Sequence, residues 1–232
     1  MLQPIMKKIF TIIALLFIVN LYGDASNSQS YYTNISKGIT FVENDYGLKE
    51  PLKNIVGGES QRLELEVGVA YKNAKVLGVD NKVFMFLYGW RYDKVKYNEL
   101  GFGLGTKWQS TPLKIIPLRL YFMASGGIGE QNNKGKEFFV ETNSNAISYV
   151  TGNVQHGHYK AKFTEDSYVI EFNIGTGVTI DITDNVSLNA GYQYQQRNYQ
   201  YSYKIEGAGV NTHLSGVIQN GHTIKIGMDI MF

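Results

Sequence analysis

From about residue 30 onward the chain is written in alternation, with apolar side chains at every second position through several separate segments and Gly, polar or charged residues between them. A period of two sends successive side chains to opposite faces of a strand. The last segment, His222 to Phe232, is the clearest: Ile224, Ile226, Met228, Ile230 and Phe232 share one face, and Thr223, Lys225, Gly227, Asp229 and Met231 share the other. Val186, Leu188, Ala190, Tyr192 and Tyr194 oppose Ser187, Asn189, Gly191 and Gln193 in the same way. No amphipathic helix interrupts the pattern.

Working backwards, Ile170, Phe172, Ile174, Val178 and Ile180 oppose Glu171, Asn173, Gly175, Gly177 and Asp181, and Thr183-Asp184-Asn185 supplies a tight turn to the next strand. Leu118, Leu120, Phe122 and Ala124 oppose Arg119, Tyr121, Met123 and Ser125. Leu100, Phe102, Leu104 and Trp108 oppose Gly101, Gly103, Gly105 and Lys107, and Ser110-Thr111-Pro112 ends that strand. Phe84, Phe86, Tyr88, Trp90 and Tyr92 are assigned to the apolar face, opposite a weaker face ending in Arg91. Leu63, Leu65, Val67, Val69 and Tyr71 oppose Glu64, Glu66, Gly68 and Ala70, and a less regular strand from Tyr31 to Val42 comes first.

These segments number eight, and an even number returns both ends of the chain to one side of a membrane. Residues 73–82, 109–116 and 182–185 then become short turns on that side. Residues 43–60, 130–166 and 204–220, with a short 93–98 link, become loops on the other. The expected fold is all-β: a transmembrane antiparallel up-and-down β-barrel of eight strands. Ten strands is the second reading, because alternation around Phe138 and from Ile147 to Val150 allows a protruding hairpin or two more staves. A parity slip near Gln195 and Gln196 suggests a β-bulge.

The N-terminus changes the picture more than composition does. Lys7 and Lys8 precede an apolar run from Ile9 to Val19, too short to span a bilayer and followed at once by small and polar residues. Residues 1–25 are therefore expected to be a cleaved signal peptide and residues 26–232 the barrel. Removing the two lysines takes the formal charge from +2 to about zero, so nothing points to nucleic acid. The 44% hydrophobic content is ordinary, but 25 Gly, 17 Tyr and 12 Phe against 4 Pro suit strands with aromatic girdles. With no cysteine, thiol chemistry and disulfides are excluded. A soluble sandwich also alternates, and the signal peptide and terminal phenylalanine decide for the barrel.

The terminal strand resembles the assembly signal of outer-membrane proteins, with Phe232 as the final aromatic and Ile230, Met228, Ile226 and Ile224 at alternate positions before it. That resemblance implies export to the outer membrane of a Gram-negative cell and the barrel-assembly machinery as a partner. Over residues 30–232 the strand pattern is similar to the eight-stranded barrels of the outer membrane protein A and X type and the related porin-like family. It implies outer-membrane lipid and lipopolysaccharide as surroundings, with an external ligand or phage at the loops. No peptidoglycan-binding domain follows the barrel, so a cell-wall tether is not expected.

Candidate chemistry is confined to few places. Glu64, Glu66, Glu171, Asp181 and Asp229 are expected to face Arg91, Lys107, Arg119, Arg197 and Lys225 inside the barrel. Eight strands enclose little more than their own side chains, so this set reads first as a salt-bridged plug and second as a gated channel. Inward glycines 101, 103, 105, 175 and 177 favour some open volume. His156 and His158 share a face of an extended segment, but two ligands fall short of a metal site. His213-Leu214-Ser215 is similar to the His-x-Ser motif of lipid A deacylases, yet Gly216 stands where that family has Asn and no matching acid follows. The tyrosine run from Asn198 to Lys204 reads as a girdle or a surface patch. No cofactor, metal or catalytic residue is expected. The function classes are a structural or surface-recognition barrel, a small diffusion porin, and, least supported, a lipid A-modifying enzyme.

Overall fold

The alternation is realised as ten antiparallel strands in a computed structural model that describes residues 29–43, 58–74, 79–92, 98–113, 116–142, 157–205 and 210–232. They are β1 (Gln29–Glu43), β2 (Gly58–Ala74), β3 (Val79–Tyr92), β4 (Asn98–Gln109), β5 (Leu118–Gln131), β6 (Glu137–Thr142), β7 (Gly157–Phe163), β8 (Ser167–Asp181), β9 (Val186–Ile205) and β10 (Val210–Met231). The expected signal peptide lies outside the described residues.

Eight of the ten close a ring. Sequential neighbours pair from β1 to β5, β5 passes to β8, and β8, β9 and β10 follow until β10 pairs with β1 from Tyr32↔Met231 to Glu43↔Asn220. Closure removes the unpaired edges that an open sheet would expose. The other two strands form a hairpin outside the ring. β7 joins β9 only over Ala161↔Ile205 to Phe163↔Tyr203, and β6 pairs with β7. The fold is an eight-stranded up-and-down barrel; the stretch around Phe138 forms β6 of a protruding hairpin, and Ile147 to Val150 lie outside the described residues.

At the end where β1 begins and β10 finishes, the connections are short. Thr183 Oγ1 accepts from Val186 N at 3.0 Å and Asn185 N at 3.3 Å, which tightens the β8–β9 turn. At the opposite, far end β9 and β10 run 20 and 22 residues, about twice what crossing a bilayer needs. The segment 204–220, expected as a loop, is therefore mostly strand. His213 and Ser215 lie on β10 rather than in a loop. β9 keeps one parity throughout, so no slip occurs near Gln195; the register shift is on β10, between Ser215 and Val217.

The distribution of side chains is inside-out. Exposed positions carry Ile35, Leu65, Val67, Met85, Leu87, Phe102, Leu104, Leu120, Phe122, Ile174 and Leu188, all at least 39% exposed. Trp108 stacks on Phe122 with centroids 5.7 Å apart near the end with the short turns, as an interfacial aromatic would. Lys37 breaks the belt: it is exposed between Ile35 and Ile39 on the outer face of β1. At mid-depth in lipid a lysine costs about 2–4 kcal/mol.

Candidate functional site

The barrel interior is where polar residues, charge and aromatic rings converge. Each stave contributes its inward row. On β2 these are Ser60, Arg62, Glu64, Glu66 and Ala70, and on β10 they are Thr223, Lys225 and Asp229, all buried. Among the described residues five cations (Arg62, Lys82, Lys107, Arg197, Lys225) and five acids (Glu64, Glu66, Glu99, Glu171, Asp229) are buried. Charges so placed must be paired, because each unpaired one costs several kcal/mol.

Their pairs recur from one end to the other in separate groups, and a third group sits at the rim. Towards the far mouth, Arg197 pairs with Glu99 and, at 3.5 Å, with Glu171. Arg62 grips Glu171 with two parallel bonds of 2.8 and 2.9 Å and also donates to Glu64 at 2.8 Å. In the middle, Lys225 bridges Glu64 and Glu66, the latter at 3.0 Å, and Lys107 reaches Glu66 at 3.3 Å. Below them Lys82 holds Asp229 at 2.6 Å, which also accepts from Asn34. At the opposite rim the half-buried Arg119 joins Asp80 at 2.5 Å and Asp181 at 2.7 Å.

Aromatic rings pack among the ion pairs. Phe84, Phe86, Tyr88 and Trp90 all point inward and are at most 3% exposed. This corrects the expected parity of β3: its outer face is Met85 and Leu87, and Arg91 faces outward, not into the lumen. The reason lies on the neighbouring strand. Phe84, Phe86 and Tyr88 stand directly opposite Gly105, Gly103 and Gly101, and the absent side chains leave room for three rings. A Cβ at those glycines would lie 2.3–2.5 Å from the opposing ring. The inward glycines thus contribute ring space, not open volume; a Cβ at Gly177 would likewise lie 2.7 Å from Tyr121, and one at Gly175 would lie 3.1 Å from Met123. Guanidinium faces complete the packing, Arg62 over Tyr88 and Arg197 over Trp90, each at 4.2 Å.

The far mouth is capped in the same manner. Tyr199, Tyr201 and Tyr203 continue the inward row of β9, so the tyrosine run is buried and forms neither a girdle nor a surface patch. Tyr199 stacks on Tyr201 at 5.4 Å, and Phe163 of β7 packs on Tyr201 at 5.8 Å. The hairpin that brings Phe163 there is fastened by Asp166, whose Oδ1 accepts from the backbone N of Asn133 at 3.0 Å and Lys134 at 2.8 Å. Gly135, at φ 78°, makes the left-handed turn into β6. On the exposed hairpin Lys160 pairs with Glu137 at 2.7 Å and, through that hydrogen bond, holds its carboxyl below the usual carboxylate range.

The structure brings Glu64, Glu66, Lys107, Glu171, Arg197, Lys225 and Asp229 together inside, and places Arg119 and Asp181 at the rim. Arg62, Lys82, Glu99 and Asp80 were missed. Arg62 and Glu99 follow from carrying the inward rows of Glu64 and Gly101 two residues towards the strand ends. Asp80 and Lys82 fell in a stretch read as a turn, whereas β3 begins at Val79. Ile224, Ile226, Met228 and Phe232 face outward, with Phe232 N donating to Tyr31 O at 2.9 Å to pin the closing seam. His156 lies outside the described residues, as do the side chains of His158, His213 and Ser215. Among the described residues no group of three metal-ligating side chains occurs.

No protein-family model and no curated protein matches this chain. Among solved structures, Neisserial surface protein A is 13% identical with a TM-score of 0.45, covering 88% of this chain and 99% of that one. The outer membrane protein OprG from Pseudomonas aeruginosa is 11% identical at 0.43, covering 89% and 97%. The attachment invasion locus protein Ail of Yersinia pestis is 12% identical at 0.36, covering 88% and 97%. Similarity of that order carries no residue assignment across to this chain.

Proposed function

We propose that the chain is an outer-membrane barrel with a sealed lumen, serving as a structural and surface-recognition element and not as an open pore or an enzyme. The observation that carries this reading is the filled interior: balanced ion pairs from one end to the other, with rings laid into the glycine rows between them. The apolar outer face supports lipid as its surroundings, and the strand ending in Phe232 supports the barrel-assembly machinery as its biogenesis partner. The length of β9 and β10 beyond the bilayer supports their ribbon, with the β6–β7 hairpin beside it, as the place for an external ligand or phage.

Planar-bilayer recording of the refolded protein tests the sealed lumen, with no conductance above the lipid baseline expected. Steady single-channel currents that change with Lys107, Arg119 or Glu171 substitutions would instead establish a porin. One observation favours a narrow polar path as the second reading: Ser36 Oγ, Ser60 Oγ and both amide atoms of Gln193 and Gln195 are buried on one wall without a hydrogen-bond partner. Such atoms are normally satisfied by water. Unchanged lipid A mass spectra for His213→Ala and Ser215→Ala are expected, since Gly216 stands where lipid A deacylases have Asn and no acid follows in a matching position of the sequence.

A further inference from the structure

The outer wall of β1, β2 and β3 carries two cations that pair with no acid among the described residues. Lys37 and Arg91 are both exposed and make no ion pair with any described residue. Four residues separate Lys37 from Phe41 and six separate it from Tyr31. At about 3.3 Å per residue and a tilt of about 40°, it sits roughly 10 Å below the first and about 15 Å above the second. A charge at that depth persists where something anionic meets it or where its stem carries it towards the interface.

The pairing register shows what lies beside it. Lys37 is opposite Leu63, Leu63 is opposite Gly89, and Gly89 is opposite Leu100. One step towards the far end, Ile39 is opposite Gln61 and Gln61 is opposite Arg91. Gly89 therefore makes a dent in the lipid-facing wall, floored by backbone and bounded by Leu63, Leu87 and Leu100, which are 60%, 59% and 72% exposed. A Cβ at Gly89 would meet only Leu100 Cδ2, at 3.5 Å. Unlike the lumen glycines, this one makes room for nothing in the protein.

We infer that this wall binds lipid A: a phosphate on Arg91 with Gln61 beside it, one acyl chain along the dent at Gly89, and the Lys37 ammonium reaching up to a second phosphate. Two strand spacings and one step along the strand place the two cations about 12 Å apart at Cα. Two phosphates at opposite ends of a disaccharide suit that spacing, whereas a single phosphodiester engages one cation only. Charge complementarity selects the ligand, because the exposed side chains described on this wall include no acid. The inference rests on the outer-membrane reading, which puts the far end in the leaflet where lipid A resides.

The test is native mass spectrometry of the refolded full chain with bis-phosphorylated lipid A, the same lipid stripped of both phosphates, and phosphatidylglycerol. One bound lipid A is expected, with retention at least tenfold lower for the stripped lipid, for the Lys37→Gln/Arg91→Gln double variant and for Gly89→Leu. Heat-modifiable gel mobility verifies that each variant folds, and the stripped lipid needs no variant at all. Equal retention of stripped lipid A or of phosphatidylglycerol by the native chain, or of lipid A by the double variant, overturns the inference. Sedimentation with inner-membrane vesicles overturns the outer-membrane reading, and the lipid site with it. Outer-membrane sedimentation without lipid A retention removes the lipid site alone.

Discussion

Tyr88 lies directly across the β3–β4 ladder from Gly101, and its ring occupies the space that a side chain at residue 101 would need, 2.3 Å from the position of a Cβ. The ring is held from the other side by Arg62 at 4.2 Å, and its hydroxyl donates to Glu99 at 3.1 Å. It has nowhere to go. Gly101→Val is expected to destabilise the barrel by about 1–3 kcal/mol through overpacking. Urea unfolding in lipid vesicles, followed by tryptophan fluorescence, measures this. Adding Tyr88→Ala should restore part of the loss, and a strictly additive double variant would show that the two positions do not compete for space.

The bidentate Arg62–Glu171 pair is a sharper case, because both groups are fully buried and Glu171 also serves Arg197. Arg62→Met leaves Glu171 with one cation, Arg197 at 3.5 Å, beside the Asn173 amide at 3.0 Å, and strips Glu64 of one of its two cations. A loss of about 3–5 kcal/mol is expected, as for other broken buried pairs. Arg62→Met combined with Glu171→Leu removes charge of both signs and should cost less than Arg62→Met alone. The same unfolding titration decides, and a double variant weaker than the single would refute the pairing.

β3 shows where the sequence was readable and where it was not. The strand itself and its alternation were legible, but its start at Val79 and its orientation were not. Phe84, Phe86, Tyr88 and Trp90 make the more hydrophobic row, and hydrophobicity alone sends that row to lipid. What reverses it is a relation between strands, rings on β3 facing glycines on β4, and a single strand's periodicity carries no such term. The stretch of the terminal strand from His222 onward was legible because Lys225 and Asp229 mark one of its faces as interior, whereas its extension back to Val210 read as a loop.

With no native cysteine to remove, the reversed face of β3 is open to a direct measurement. Nitroxide labels at Met85 or Leu87 should collide with oxygen in the bilayer and escape a water-soluble nickel reagent. Labels at Phe86 or Tyr88 should reach neither quencher or prevent folding. High oxygen accessibility at residue 86 together with low accessibility at 87 would return the strand to its sequence-derived orientation.

Phe232 separates assembly from stability. Its side chain is 76% exposed, and its visible tie to the barrel is one backbone bond to Tyr31. The seam beside it is held by a ladder twelve residue pairs long, from Tyr32↔Met231 to Glu43↔Asn220, with the Asn34–Asp229 and Thr40–Thr223 side-chain bonds inside. Deleting Phe232 should therefore change the equilibrium stability of the folded barrel by about 1 kcal/mol or less, the scale of a single hydrogen bond. If the terminal aromatic is what the assembly machinery reads, the same deletion should slow insertion into vesicles containing that machinery many-fold and leave spontaneous folding into thin bilayers unchanged. Equal slowing in both settings would place the role of Phe232 in the closing of the seam, and equal rates throughout would remove it as a signal.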